Sequence, residues 1–157
     1  DDYGLNHISS MRIMQCIEKG ALNKVSVFPN FEQTDFEKLL SQKNLLISLH
    51  LNLVEGKCLS DPKEIDLLAD ESGNFKHTFG GLFKLACMGK KGLKEQLYKE
   101  IKAQVLFFKN LLPENMPFGI DGHQHTHMIP LVFKTLIKVL REEKIKKTAD
   151  TWRSEKS

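Results

Sequence analysis

The chain has 157 residues, 41% of them hydrophobic, which is enough for one domain with a real core and too apolar for a disordered tail. Its 23 basic and 20 acidic residues are interspersed and leave a net charge of +3, so no single-sign field invites nucleic acid. No apolar run reaches the roughly 20 residues that span a bilayer, and no secretory leader opens the chain, so the sequence predicts no membrane association.

Three widely spaced cysteines, Cys16, Cys58 and Cys87, make neither a disulfide framework nor a zinc ribbon, and predict reduced thiols in a cytoplasmic protein. In chain order, Ile8, Met11, Ile13, Met14 and Ile17 form a helical apolar face that Gly20 closes. Lys24 to Phe28 predicts a strand through Val25, Val27 and Phe28, stopped at Pro29-Asn30. Phe36, Leu39 and Leu40 then mark a short amphipathic helix. The clearest strand is Leu45 to Leu53: Leu45, Ile47, Leu49, Leu51 and Leu53 share one face, and Leu46, Ser48, His50 and Asn52 the other.

Glu55 to Phe79 lacks a sustained period and reads as a long loop, with one helical turn around Ile65 to Leu68. A long helix is predicted from Lys91 to Leu112, on Leu93, Leu97, Ile101, Val105 and Phe108, with Pro113 stopping it. Pro117 to Ile120 feeds a histidine cluster, after which Pro130 opens a last helix with Val132, Phe133, Leu136, Ile137 and Leu140 as its buried stripe. Strands alternating with helices predict parallel βαβ units, whose reacting groups gather at the C-terminal strand ends.

The cluster is Asp121-Gly122-His123-Gln124-His125-Thr126-His127. Read as extended backbone, it projects His123, His125 and His127 from one face into one cavity. His50, near the end of its strand, would converge on the same place, and so would Asp1-Asp2 if an upstream segment supplied a first strand. A carboxylate with two neutral imidazoles suits zinc, manganese, iron or cobalt, and magnesium less naturally. Such a centre polarises a carbonyl and acidifies water, while a carboxylate takes a proton and an imidazole returns one. Asp121 could orient one of the rings. His7 and His77 lack such company and read as surface residues. Tyr3, Phe75, Phe79 and Phe83 offer either a sugar platform or ordinary packing, and packing is the commoner use.

Three segments in this order resemble the YdjC-like carbohydrate deacetylase family, whose best-known type acts on chitooligosaccharides. Asp1-Asp2-Tyr3-Gly4-Leu5 resembles its opening motif, and Leu49-His50-Leu51-Asn52-Leu53 with Gly56-Lys57 its second. Asp121 to Pro130 resembles its Asp-small-His-x-His-x-His-Met-x-Pro signature. The resemblance implies a β/α-barrel-like α/β fold and a single deacetylase domain over residues 1–157. It implies a divalent ion, usually described as magnesium, held by Asp2, His50 and His123, with Asp1 as general base. It also implies hydrolysis of an N-acetyl group on an amino sugar or chitooligosaccharide. Ligand chemistry instead favours zinc. His125 or His127 would protonate the departing amine, and spacing does not separate them.

The chain departs from the family pattern at both ends: no strand precedes Asp1-Asp2, and Thr148 to Ser157, with Arg153, does not resemble the family's next strand. The expectation is a domain lacking its first strand and a C-terminal portion. Two other readings stand beside the deacetylase: a metal-dependent phosphoesterase, and a non-catalytic metal-binding or carbohydrate-binding module. The expected partner is an amino-sugar or oligosaccharide substrate, with no nucleic acid and no membrane, and a homodimer as an open option.

Overall fold

The computed structural model describes residues 1–30 and 36–145, so the tail from Thr148, with Arg153, lies outside the described residues. Its sheet has three parallel strands, β1 (Lys24–Val27), β2 (Leu46–Leu51) and β3 (Gly119–Gly122), in the order β1-β2-β3. Val27 pairs with Leu49, and His50 with Asp121, so the C-terminal ends of all three strands lie side by side. The central strand is buried on both faces from Ile47 to Leu51. This is the environment of a parallel strand covered by helices.

Among the described residues, five α-helices accompany the sheet: α1 (His7–Glu18), α2 (Phe36–Leu40), α3 (Phe79–Cys87), α4 (Leu93–Leu111) and α5 (Pro130–Glu142). The Asn6 side chain caps α1 by accepting the Ser9 N–H at 2.9 Å, and Gly20 follows the helix end at φ 71°. The predicted stripe of α4 is fully buried, from Leu93 through Leu97, Ile101 and Val105 to Phe108, and α4 packs against α5. On α5 the buried stripe is Val132, Thr135, Leu136 and Val139, while Phe133 and Leu140 are only half-buried. No helix among the described residues is long and apolar enough to cross a membrane.

The stretch from Glu55 to Phe79 is more organised than a plain loop. A 3₁₀ turn at Pro62–Glu64 runs into the expected turn, where Leu68 N–H donates to the Ile65 carbonyl at 2.8 Å. Antiparallel bridges Lys57 to Asn74 and Ala69 to Phe75 fold it back on itself. Helix α3, which the sequence reading leaves out, begins at Thr78, whose hydroxyl accepts the Gly81 N–H at 3.3 Å. Gly80 and Gly81 in its first turn depress helix propensity and hide it. The described strands form an open α/β sheet, and no closed barrel is present among the described residues.

Candidate metal centre

Tyr3 fixes the acidic start of the chain. Its ring is fully buried, its N–H donates to the Ser26 carbonyl at 3.1 Å, and its carbonyl accepts the Phe28 N–H at 2.9 Å. This parallel bridge to Val27 lays residues 1–3 beside β1. Asp2 adopts the left-handed region at φ 67°, an uncommon conformation for a residue with a Cβ, and the tight turn continues as Leu5 N–H donates to the Asp2 carbonyl. The Gly4 N–H donates to the buried Ser10 hydroxyl at 2.9 Å, which ties the turn to α1. The Asp2 carboxylate thereby arrives at the strand ends.

There Asp2, His50 and His123 meet. Asp2 Oδ1 lies 3.5 Å from His50 Nε2 and 3.6 Å from His123 Nδ1, and the two nitrogens are 3.3 Å apart. Each ring's other nitrogen faces a carboxylate: His50 Nδ1 is 2.6 Å from Asp121 Oδ1, and His123 Nε2 is 2.8 Å from Glu55 Oε2. A carboxylate accepts the ring proton, so both N–H groups point outward and both lone pairs point inward. Two lone pairs and a carboxylate oxygen thus face one another, an arrangement that a cation satisfies. The donor separations also fit: ligands about 2.1 Å from a tetrahedral ion lie about 3.4 Å from one another.

The walls hold this triangle rigid. Phe28 sets its ring edgewise against His50 at 4.8 Å and against His123 at 4.9 Å between centroids. Asp121 is fastened by the Ser26 hydroxyl, which donates to Oδ2 at 2.5 Å, with Lys24 Nζ 4.0 Å away. Burial raises the Asp121 pKa, but the hydrogen bonds from His50 and Ser26, with the nearby Lys24 charge, outweigh it and hold the carboxyl below its usual value. Asp1 is exposed and forms a second close group with His50 and Asp121.

The histidine cluster is not the extended segment that its alternation predicts. β3 ends at Gly122, and His123–Met128 coils into 3₁₀ turns with Gln124 at φ 49° and His125 at φ 57°. The three histidines therefore do not share one strand face. His123 joins the triangle; His125 is exposed, and His127 packs on the backbone of Gly122. A Cβ on Gly122 would sit 2.4 Å from His127 Nδ1, so glycine is required here for close approach rather than for its φ. The rings of His125 and His127 lie 6.1 Å apart. Of the remaining histidines, His7 is exposed as expected, but His77 is half-buried, its Nε2–H donating to the Leu67 carbonyl at 2.7 Å.

A family model described as YdjC-like protein matches residues 1–156. The chain belongs to the YdjC-like family. Among curated relatives, one from Danio rerio named carbohydrate deacetylase is 30% identical, over 90% of this chain and 45% of its own length. One of the same name from Clostridium beijerinckii is 29% identical, over 92% of this chain and 56% of its own. A third, from Homo sapiens, is 28% identical, over 90% and 43% respectively. This YdjC-like chain spans about half the length of the curated relatives it matches.

Within the YdjC-like domain, the four aromatics of the candidate sugar platform separate. Tyr3 and Phe75 belong to the core, whereas Phe79 and Phe83 on α3 are 37% and 45% exposed and stack nearly parallel, 6.3 Å between centroids. Helix α3, which carries this pair, lies against the His123–Met128 turn. Two site residues escape sequence reasoning altogether, Ser26 and Glu55. Ser26 had a faint signal, a small hydroxyl between Val25 and Val27 in a buried strand. Glu55 had none, because its partner His123 is 68 residues away.

Proposed function

We propose that this chain carries the catalytic centre of a metal-dependent carbohydrate deacetylase, which hydrolyses an N-acetyl group on an amino sugar or short chitooligosaccharide. The observation that carries the reading is the inward-facing donor triangle of Asp2, His50 and His123, on a chain whose relatives are named for that activity. A divalent cation held there supplies Lewis-acid polarisation of the acetyl carbonyl and makes water acidic enough to deprotonate near neutral pH. The family suggests magnesium. The donor set supports zinc, since two imidazole nitrogens suit it and octahedral magnesium would bring ligands to about 3.0 Å from one another.

In this reading Asp1 accepts the proton of the attacking water. Water oxygen bonds to the acetyl carbon, the C–N bond breaks, and His125 or His127 gives a proton to the amine nitrogen, leaving acetate and the free amino sugar. His50 and His123 keep their outward N–H groups on Asp121 and Glu55, which leaves the other nitrogen of each ring for the cation. Phe79 and Phe83 stack against the apolar face of a pyranose ring. The proposed complete fold is a β/α barrel, supported by parallel strands in sequential order with the site at their C-terminal ends. The proposed compartment is the cytoplasm, supported by three free cysteines.

Acetate release from N-acetylglucosamine oligomers, measured with added zinc or magnesium, tests the activity. Turnover is expected in the wild type and is expected to vanish in D2A and H50A. A protein that binds one equivalent of metal but frees no acetate from any N-acetylated oligomer would contradict the proposal and favour a non-catalytic module.

A further inference from the structure

We infer that Glu55 is a positioning residue for the metal centre, aimed at His123 by a buried polar chain that starts on α4. The inference rests on the metal-centre reading and extends it to residues on a different element. Helix α4 presents an apolar stripe to the core, yet two fully buried positions on that helix are Glu100 and Gln104. Burying a carboxylate and an amide is costly unless both are fully bonded. Here both are. Glu100 accepts the N–H groups of Leu59 and Ser60 at 3.1 and 2.9 Å, and the Gln104 amide at 2.7 Å.

Gln104 then clamps the end of β2. Its Oε1 accepts the Asn52 N–H at 3.0 Å and its Nε2 donates to the Asn52 carbonyl at 2.6 Å, satisfying both backbone groups where the strand stops. The Asn52 side chain turns the chain that follows. Its Oδ1 accepts the N–H groups of Val54 and Glu55, each at 3.1 Å, and its Nδ2 donates to the Glu55 carbonyl at 2.5 Å and to Asn30 Oδ1 at 3.3 Å. The backbone of Glu55 is thus held on both its N–H and its C=O. Its carboxylate, although half-exposed, stands 2.8 Å from His123 Nε2.

This contact decides which nitrogen of His123 carries the proton. With Nε2–H committed to Glu55, Nδ1 keeps its lone pair toward Asp2 and His50. Among the described residues, Glu55 is the acceptor that holds the ring in that tautomer against the other. Glu55 is therefore for His123 what Asp121 is for His50, supplied by the loop after β2 rather than by a strand.

Zinc titration by calorimetry, with thermal melts of the metal-free proteins, tests this in wild type, E55A, E55Q and H123A. Wild type is expected to bind one equivalent, and H123A to lose tight binding. E55A is expected to weaken binding 10–100-fold at unchanged melting temperature. E55Q is expected to recover most of the loss, because an amide oxygen still accepts the ring N–H. E55A that binds zinc as the wild type does, while H123A does not, overturns the role of Glu55 alone. A wild type that binds no zinc, or an H123A that binds like the wild type, overturns the metal-centre reading beneath it.

Discussion

Asp121 Oδ1 sits 2.6 Å from His50 Nδ1, across the parallel pair in which these two residues are directly opposed. The register of β2 and β3 therefore sets which nitrogen of the His50 ring carries the proton. Replacing Asp121 with Ala frees the His50 ring and leaves the Ser26 hydroxyl without its acceptor. D121A is expected to weaken divalent-metal binding by about 10–100-fold. It is also expected to destabilise the fold by about 1–3 kcal/mol. Calorimetric titration and denaturant melts check the two effects separately.

Gly122 and His127 make a second, steric relationship. G122A places a Cβ 2.4 Å from His127 Nδ1, so the ring must move. Overpacking of this kind is expected to cost about 1–3 kcal/mol. Removing the ring should relieve the clash, so the double variant G122A/H127A is expected to be more stable than G122A. Equal stability of the two would show that His127 is not what requires the glycine.

Phe83 is exposed and stacked on Phe79, so truncating it removes little core. F83A is expected to raise KM for N-acetylated oligomers several-fold, with kcat and melting temperature nearly unchanged. An unchanged KM would remove the aromatic pair from the substrate surface.

The three thiols should differ in reactivity. Burial and the neighbouring charges of Glu100, Asp70 and Asp61 push the Cys58 thiol above its usual value, and it donates to the Ser60 carbonyl at 3.3 Å. A thiol with a raised pKa holds less reactive thiolate at a given pH. At pH 8, iodoacetamide is expected to modify the exposed Cys16 and Cys87 well before Cys58, as read by peptide mass mapping. Uniform labelling would contradict the packing of the loop against α4.

Much of this architecture is written in local pattern. The leucine alternation of β2, the stripe of α4 and the proline stops at Pro29 and Pro113 depend on neighbours in sequence, and the structure follows them. The convergence of Asp1-Asp2, His50 and the histidine cluster was legible from their places at strand ends, and the choice of Asp2, His50 and His123 among them from the resemblance of three separated motifs. What stayed hidden depends on backbone conformation or on distant partners. His123 to His127 alternates like a strand, but positive φ values at Gln124 and His125 turn the chain, and side-chain type does not announce them. Helix α3 was masked by its own glycines, and the Glu55 contact by the 68 residues between its partners.

In the proposed centre, Asp2, His50 and His123 jointly hold a divalent ion. Anomalous diffraction from crystals grown with zinc, collected at the metal's absorption edge, tests it most directly. One peak is expected, bonded to Asp2 Oδ1, His50 Nε2 and His123 Nδ1, with His125 and His127 outside the coordination shell. A peak bonded to His125 or His127, or no peak at the three strand ends, would contradict it.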